Sequence, residues 1–251
     1  MPMEPLFAII TPTYTAAHTI ERTLDSVDSQ SFTDYEHIVV DGAGGDATLE
    51  LVASRPNPRR RVMSEPDRGL YDAMNKGIGA TTGRYLIFLN AGDKFHGPDT
   101  LERIARAIAD NDSPGIVYGQ TVIVDDEGGN PRPRHLTAPD TLTLKSFADG
   151  MLVCHQAFVA LRRIAGFYDL RYRFSADYEW CVRCLQHSRR NIGLTHGEPL
   201  VDYLDGGLTT KNRFRSLRER FAIMSYYYGF FPTVMRHFRF AVRALRRKFN
   251  K

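Results

Sequence analysis

Short apolar strands alternate with helical patterns through the first 110 residues, and this alternation constrains the fold more than any other feature of the chain. Alternating β and α segments are typical of a mostly parallel sheet with helices on its faces. The fourth strand is apolar throughout, as expected of a strand that is covered on both faces. Strands are predicted at 7–10, 35–41, 61–64 and 84–89, and helices at 18–30, 46–54, 69–79 and around Ile104 and Ile108.

Acidic residues stand where these predicted strands end. Asp41 closes the second strand, Asn90-Ala91-Gly92-Asp93 follows the fourth, and the polar segment 64–77 lies between them in the sequence. In open α/β sheets, ligands bind in the crevice outside the carboxyl ends of the strands. Hard divalent cations take oxygen ligands and bridge to phosphates, so acids collected at this edge indicate a metal-bound, phosphate-bearing ligand.

The second half of the chain is less regular. Segments 116–124 and 132–136 flank a turn-rich stretch at 125–130, and together they predict a β-hairpin. A helix is predicted over 176–187, and a strand over 199–204 that Asp205-Gly206-Gly207 breaks.

The composition suits one α/β domain of ordinary size with an appendage, since the chain has 251 residues of which 43% are hydrophobic. Cys154, Cys181 and Cys184 are too few and too unevenly placed for a disulfide framework, so a reducing cytoplasm is expected. The first residues lack the basic segment of a signal peptide, and none is predicted.

The net charge of +4 conceals an asymmetry. Segment 211–251 has 12 Lys and Arg residues and one acid, a net charge of +11, whereas residues 1–210 carry −7. The stretch 221–235 is uncharged and aromatic, but its 15 residues are too few to span a bilayer as one helix. Basic clusters beside aromatic surface suit an anionic membrane face, at about 1 kcal/mol per basic residue. The alternative is a helix packed on the body with an exposed basic end. Nucleic-acid binding is not expected beside an acidic body.

Two further patterns have simpler interpretations. Gly42-Ala43-Gly44-Gly45-Asp46-Ala47 fits G-x-G-x-x-A, but it follows the second strand and not the first, which favours a flexible turn with Asp46 as a helix cap. No P-loop sequence occurs. Cys181 and Cys184, with Cys154, His155 and His187, have the residue types of a zinc site, but one C-x-x-C inside a helical pattern favours small buried side chains.

Taken together, the motifs resemble the family-2 inverting glycosyltransferases of the GT-A fold. The resemblance covers residues 6–210. It rests on these segments: Thr11-Pro12-Thr13-Tyr14, Val40-Asp41-Gly42 with Asp46 and Thr48, Ser64-Glu65-Pro66-Asp67-Arg68-Gly69, Leu89-Asn90-Ala91-Gly92-Asp93, His155-Gln156, Ser175-Ala176-Asp177-Tyr178 and Gly206-Gly207-Leu208.

The resemblance implies roles for individual residues. Asp41 and Asp67 would contact the base and ribose of a nucleotide-sugar. Asp93 would be the surviving acid of the metal-binding D-x-D, which reaches the diphosphate through Mn²⁺ or Mg²⁺, and Asp177 would be the general base on the acceptor hydroxyl. The further nucleotide contacts would be Thr11, Pro12, Tyr14, Asn75, Lys76, Asn90 and Ala91, and the donor or acceptor contacts His155, Gln156 and Tyr178.

The chemistry requires these residue types. A sugar–diphosphate bond breaks when the charge on the leaving group is neutralised, which a divalent cation supplies. Inversion requires a base within hydrogen-bond reach of the acceptor hydroxyl. The chain departs from the family pattern at the metal motif, where Asn90-Ala91-Gly92-Asp93 retains one carboxylate. Asp72 and Lys76 also allow a simpler interpretation as an i,i+4 pair on a helix surface.

The resemblance therefore implies a metal-dependent, inverting glycosyltransferase that takes a UDP-sugar and acts on a saccharide or lipid-linked saccharide in polysaccharide biosynthesis. We expect a GT-A domain at 1–210, with a nucleotide-binding half at 1–110 and an acceptor half at 111–210, and a helical basic, aromatic tail at 211–251. The tail would hold the protein peripherally on the cytoplasmic face of the inner membrane. Two alternatives stay open: a sugar nucleotidyltransferase, and a non-catalytic protein that binds a nucleotide-sugar or saccharide.

Overall fold

The computed structural model describes residues 4–206 and 212–249, and the side chains in these ranges apart from those of 213 and 243–249. The strands are β1 Phe7–Thr13, β2 Tyr35–Asp41, β3 Arg60–Ser64, β4 Tyr85–Phe88, β5 Lys94–Phe95, β6 Ile116–Gly119, β7 Thr121–Val124, β8 Arg132–Pro133, β9 Phe158–Leu161, β10 Asn191–Leu194 and β11 Val201–Leu204. The helices are α1 Ile20–Asp28, α2 Thr48–Ala53, α3 Leu70–Ala80, α4 Thr100–Asp110, α5 Arg162–Ala165, α6 Ala176–His187, α7 Arg213–Tyr228 and α8 Phe230–Phe249, with short 3₁₀ turns at Leu144–Asp149 and His155–Ala157.

The described strands form two sheets. The larger has seven strands in the order β10-β6-β9-β4-β1-β2-β3, and the smaller has four in the order β5-β11-β7-β8. In the larger sheet all neighbours are parallel except β9, which runs antiparallel to both β4 and β6. The prediction of an α/β protein with a mostly parallel central sheet is confirmed.

The register of the first three strands brings their carboxyl ends to one line. Thr13 lies opposite Asp41, and Asp41 lies opposite Ser64. Neighbouring parallel strands lie about 4.8 Å apart. The polar residues that follow these strands therefore share one edge of the sheet, as the sequence predicts.

Two apolar layers cover the faces of the larger sheet. In β1, Ile10 belongs to the layer that contains Met74 of α3 and Trp180 of α6, whereas Ile9 belongs to the layer that contains Ile104 of α4. Successive strand residues point to opposite faces, so a strand buried on both sides is apolar along most of its length. Trp180 is fully buried and donates its indole N–H to the Gly166 carbonyl at 3.1 Å.

The predicted hairpin is only partly correct. Segment 116–124 is divided at Gln120, so that β6 joins the larger sheet and β7 the smaller one. The return strand is β8 alone, which pairs with β7 through Pro133 and Arg132. The sequence interpretation also missed β9 and β10, which complete the larger sheet on the β6 side.

The tail is helical, as predicted. Ile223 and Met224 of α7 are buried in the layer around Trp180, so α7 packs on the body. In contrast, α8 exposes Phe231, Met235 and Phe238. Within the described residues, no helix is long and apolar enough to cross a membrane. The segment 207–211, with Gly207 and Leu208 of the last resemblance motif, lies outside the described residues.

Two glycines of α3 give a matched test of the packing of α3 on β1. A Cβ on Gly77 would lie 2.4 Å from Ile10 Cγ2, whereas a Cβ on Gly79 would meet nothing within 4 Å. We expect Gly77→Ala to lower the free energy of unfolding by about 1–3 kcal/mol, because overpacking pushes α3 off β1. Gly79→Ala should raise it by about 0.5–1 kcal/mol, because alanine favours a helix over glycine. Urea unfolding measures both, and equal effects would contradict the packing.

Candidate functional site

Asp41 is fixed at the carboxyl edge of the sheet by three hydrogen bonds. Oδ1 accepts from Thr13 Oγ1 at 3.1 Å, and Oδ2 accepts from Ser64 Oγ at 2.8 Å and from the Ala43 N–H at 3.0 Å. Only 2% of the residue is exposed. A carboxylate held in this way presents a fixed acceptor to the crevice, as base recognition requires.

Asp67 and Tyr14 converge on Gly42, immediately after Asp41. A Cβ on Gly42 would lie 2.3 Å from Asp67 Oδ2 and 3.1 Å from Tyr14 Cδ2. The other oxygen of Asp67 accepts from the Gly69 N–H at 2.7 Å, which shapes the turn into α3. Tyr14 is 67% exposed, so its ring is free to stack on a ligand. The predicted residues Tyr14, Asp41 and Asp67 thus lie together.

Other predicted nucleotide contacts have structural partners. Thr11 and Pro12 are buried within β1, and Thr11 Oγ1 lies 3.0 Å from His37 Nε2. Burial, and then the charge of Arg60, lower the pKa of His37 to about 3. Asn75 holds the main chain of Tyr168, donating to its carbonyl at 3.0 Å and accepting from its N–H at 2.7 Å.

Lys76 and Asp72 do not form the surface pair that their spacing allows. Lys76 Nζ donates to the Pro66 carbonyl at 2.7 Å and pairs with Glu65 at 2.8 Å, and Asp72 pairs with Arg68 at 3.1 Å. Lys76 therefore supports the loop that carries Asp67. Its role as a direct nucleotide contact stays a prediction.

The loop after β4 is tied down from three sides. Thr23 of α1 accepts from the Gly92 N–H at 2.9 Å and donates to the Asp93 carbonyl at 2.7 Å. Asp93 Oδ1 accepts from the Leu204 N–H at 2.8 Å, and Oδ2 accepts from Gln156 Nε2 at 2.7 Å. Burial raises the pKa of Asp93 to about 7, against the opposing effect of these two bonds.

Each oxygen of Asp93 accepts one hydrogen bond from the protein, and its role as a metal ligand stays a prediction. The described residues contain no group of three or more His, Cys, Asp or Glu side chains suited to a metal ion. Asn90 Oδ1, in contrast, is buried without a hydrogen-bond partner in the described structure, while Ala91 contributes only apolar packing. An amide oxygen is a ligand that Mg²⁺ accepts when substrate phosphates and water complete its shell. In the segment 90–93, Asn90 Oδ1 is therefore the side-chain oxygen that has no hydrogen bond from the described residues.

Asp177 lies in the first turn of α6 with one oxygen engaged. Its Oδ1 accepts from the Tyr71 hydroxyl at 3.0 Å and from the Tyr178 N–H at 2.8 Å. Burial, and then the charge of Asp177, raise the pKa of Tyr71 well above its usual value, so the phenol stays a donor. Oδ2 makes no hydrogen bond to the described residues. A carboxylate with one fixed and one free oxygen is suited to accept a proton.

His155 and Tyr178 are packed into the body. His155 Nε2 lies 2.5 Å from the Tyr168 hydroxyl, and burial lowers the pKa of the imidazole to about 4, although the charge of Asp177 opposes this shift. The ring stacks on Phe88. Tyr178 is fully buried and donates to the Phe147 carbonyl at 2.7 Å. The geometry therefore gives these two residues structural contacts, and the predicted contact of Tyr178 with donor or acceptor is not favoured.

Gln156 and the cysteines are also internal. Gln156 Oε1 accepts from the Cys154 thiol at 3.0 Å, while its amide nitrogen bonds Asp93. Cys181 and Cys184 are fully buried, and burial raises the pKa of both thiols. Small buried side chains are the correct interpretation of the C-x-x-C pattern among the described residues.

Comparison with known proteins identifies related chains. The model of the family described as Glycosyl transferase family 2 matches residues 8–165. The chain is 33% identical over 189 residues to a "PGL/p-HBAD biosynthesis glycosyltransferase" of Mycobacterium tuberculosis (strain ATCC 25177 / H37Ra), which covers 73% of this chain and 71% of that protein. It is 32% identical over 143 residues to "Putative teichuronic acid biosynthesis glycosyltransferase TuaG" of Bacillus subtilis (strain 168), which covers 56% of each.

Solved structures show the same fold at low sequence identity. S. aureus TarS 1-349 matches with a TM-score of 0.73 at 17% identity over 95% of this chain and 72% of that chain, and its complex with UDP-GlcNAc matches with a TM-score of 0.72. The mannosyltransferase PcManGT from Pyrobaculum calidifontis, in complex with GDP-Man and Mn²⁺, matches with a TM-score of 0.65 at 19% identity over 96% of this chain and 76% of that chain. The predicted GT-A fold is confirmed.

The buried carboxyl of Asp93 should make stability depend on pH. Because its pKa is raised to about 7, its contribution is fully present below the ordinary value of 3.8 and is lost as the pH rises through 7. Asp93→Asn removes this titration and keeps an oxygen for the Leu204 N–H. In urea unfolding with EDTA, we expect the free energy of unfolding of the variant to rise relative to that of the wild type between about pH 4 and 7, by up to about 1.4 kcal/mol per pH unit. A difference that does not change with pH would contradict the buried, unliganded carboxyl.

Proposed function

The chain belongs to glycosyl transferase family 2, and on that premise we propose that it moves a sugar from a nucleotide-diphosphate donor to an acceptor hydroxyl, with inversion at the anomeric carbon. The observation that carries the proposal is Asp177, which Tyr71 holds through one oxygen, while the described residues give the other oxygen no hydrogen bond. The family favours sugar transfer over the alternative of a sugar nucleotidyltransferase. The free oxygen of Asp177 favours turnover over mere binding.

The donor is proposed to be a UDP-sugar. Two of the TarS structures hold UDP and UDP-GlcNAc, and PcManGT holds GDP-Man, so proteins of this fold bind nucleotide-diphosphate sugars. In this chain the base would stack on Tyr14 and bond to Asp41, and Asp67 would contact the ribose. The exposed ring and two carboxylates around Gly42 support this arrangement.

The reaction then requires one proton transfer. Asp177 would take the proton of the acceptor hydroxyl as its oxygen attacks the anomeric carbon from the face opposite the diphosphate, so that the carbon–oxygen bond to the diphosphate breaks as the new one forms. The hydrogen bond from Tyr71 would keep the carboxylate turned toward the acceptor. General-base catalysis of this kind contributes about 10²–10⁴-fold.

We propose that a divalent cation, Mn²⁺ or Mg²⁺, binds together with the diphosphate of the donor. When bound, it would neutralise charge on the leaving diphosphate. The described residues do not form a cluster of carboxylates, so we propose that the diphosphate supplies most of the ligands of the cation and that Asn90 Oδ1 supplies the protein contact. The partial precedent is PcManGT, whose structure contains Mn²⁺.

The acceptor is proposed to be a saccharide, free or lipid-linked, in polysaccharide biosynthesis. The names of the Mycobacterium and Bacillus relatives support a biosynthetic role of this class. A lipid-linked acceptor would require the enzyme to work at a membrane, which we propose to be the cytoplasmic face of the inner membrane.

The exposed face of α8 supports the membrane proposal. Phe231, Val234, Met235 and Phe238 are exposed and recur at the 3- and 4-residue spacing of one helix face. Arg239 is exposed about a quarter turn from this stripe, whereas Arg236 faces the body and lies 3.9 Å from Asp149. An amphipathic helix of this kind binds in the plane of an anionic bilayer, with its apolar side at the level of the acyl chains.

Asp177→Asn tests the catalytic assignment. We expect turnover to fall about 10²–10⁴-fold, because the amide cannot accept the proton. Donor binding should persist, and a thermal-shift panel of UDP, GDP, dTDP and CMP with and without Mn²⁺ measures it. A ligand at 100 times its dissociation constant stabilises by about 2.7 kcal/mol. Near-normal turnover in the variant would rule out Asp177 as the base, and no shift with any nucleotide would contradict the donor class.

A vesicle experiment tests the membrane proposal. We expect the wild type to float with vesicles that contain anionic lipid, less so at high salt, and the double variant Phe231→Ser/Phe238→Ser to stay in solution. Phe167→Ser is the matched control, because Phe167 is 58% exposed on the body and not on the tail. Absence of flotation, or a dimer that dissociates in the double variant, would assign the stripe to another partner.

A further inference from the structure

The start of α6 is held by side chains of α7. Ser175, the residue before the helix, is fully buried, and its Oγ lies 2.9 Å from Ser216 Oγ and 3.2 Å from the Ser216 carbonyl. Forty-one positions separate the two serines in the sequence. This contact lies two residues from Asp177 and joins the predicted tail to the predicted catalytic helix.

Ser175 gives up a local bond to make this contact. A serine in the N-cap position usually accepts from an N–H group of the first helical turn, which stabilises the helix by about 0.5–2 kcal/mol. In α6 the Ser175 side chain makes no such bond. Its hydroxyl bonds Ser216 of α7 instead. The Ser175 side chain therefore fixes the position of α6 relative to α7 and does not cap the helix.

Glu219 of α7 holds the two residues before Ser175. Its Oε1 accepts from the Arg173 N–H at 3.0 Å, and its Oε2 accepts from the Phe174 N–H at 2.8 Å. Bonds to an ionised acceptor are about twice as strong as neutral ones. Glu219 is also the only acid among residues 211–251, which contain 12 Lys and Arg. The two N–H bonds to Arg173 and Phe174 give a reason for an acid in so basic a segment.

Two further contacts fix the rotation of α6. The Tyr227 hydroxyl donates to Glu179 Oε1 at 2.7 Å, and the Arg220 guanidinium lies 5.4 Å from the centre of the Tyr178 ring. Successive side chains of a helix point 100° apart, so fixing 178 and 179 also fixes the direction of Asp177. A small rotation would break the 3.0 Å bond between Asp177 and Tyr71.

We propose that Glu219, with Ser216, is a positioning residue for Asp177: α7 sets the place and rotation of α6, so that the carboxylate meets both Tyr71 and the acceptor hydroxyl. This inference rests on the proposed role of Asp177 as the base. It makes α7 part of the catalytic unit, because α7 holds residues 173–175 before α6 and the side chains of Tyr178 and Glu179 at its start.

The test separates kcat from KM in the full chain. Glu219→Gln keeps the shape and one acceptor oxygen but loses the charge and one N–H bond, and Ser216→Ala removes only the hydroxyl that meets Ser175 Oγ. A misplacement of about 1 Å lowers catalysis about 10²-fold. We expect kcat to fall by about 10- to 100-fold in Glu219→Gln and less in Ser216→Ala, with the donor KM and the UDP thermal shift unchanged. The control is Arg218→Gln, which is exposed on the same helix.

The outcomes separate this inference from the proposed function. If Asp177→Asn is inactive and Glu219→Gln has the kcat of Arg218→Gln, the positioning role is overturned and the proposed base stands. If Asp177→Asn remains active, the proposed base itself fails. A parallel loss of kcat, donor binding and melting temperature in both Glu219→Gln and Ser216→Ala would reduce the contact to general stability and would also overturn the proposal.

Discussion

The common register of β1, β2 and β3 is the constraint on which the rest of the site depends. It places Thr13, Asp41 and Ser64 side by side, so that hydroxyl donors satisfy a carboxylate that is almost fully buried. A slip of one residue would turn every side chain to the other face of the sheet. It would remove those donors from Asp41 and exchange the residues that β1 presents to the two apolar layers. Core packing and site geometry are thus specified by the same pairing.

Asp93 has a comparable role between the two sheets. Its oxygens join the loop after β4 to the end of β11 and to the 3₁₀ turn at 155–157. Burying a carboxyl is costly, and the raised pKa expresses that cost. Its two oxygens let one residue accept from two N–H donors that come from distant segments. Asp93 thus holds the loop after β4 in place through both its oxygens. In the same loop, Asn90 Oδ1 is the side-chain oxygen without a hydrogen bond from the described residues.

The sequence predicts those features that depend on local patterns. Apart from the two-residue β5, the strands and helices up to residue 110 follow from apolar periodicity. Asp41 and Asp67 follow from their places at strand and turn ends. The sequence does not predict β9. This antiparallel strand lies between β4 and β6, so it depends on pairing across long sequence separations, which no local pattern signals. A motif gives a residue type but not its direction, so it does not signal that Asn75 bonds the main chain of Tyr168 or that Tyr178 bonds the Phe147 carbonyl. The contact between Tyr71 and Asp177 spans 106 positions, and no local pattern signals it.

Asp177 lies in the first turn of α6, and this place explains why a helix distant in the sequence is needed to fix the direction of its carboxylate. A carboxylate in the first turn is favoured by the helix dipole, but the end of a helix is also where its backbone is least constrained. Capping by Ser175 would secure the helix without fixing its position relative to Tyr71. Bonds from Ser216 and Glu219 secure both, because they originate in a helix that is itself anchored in the core through Ile223 and Met224. The direction of the free carboxylate oxygen is therefore a property of tertiary packing.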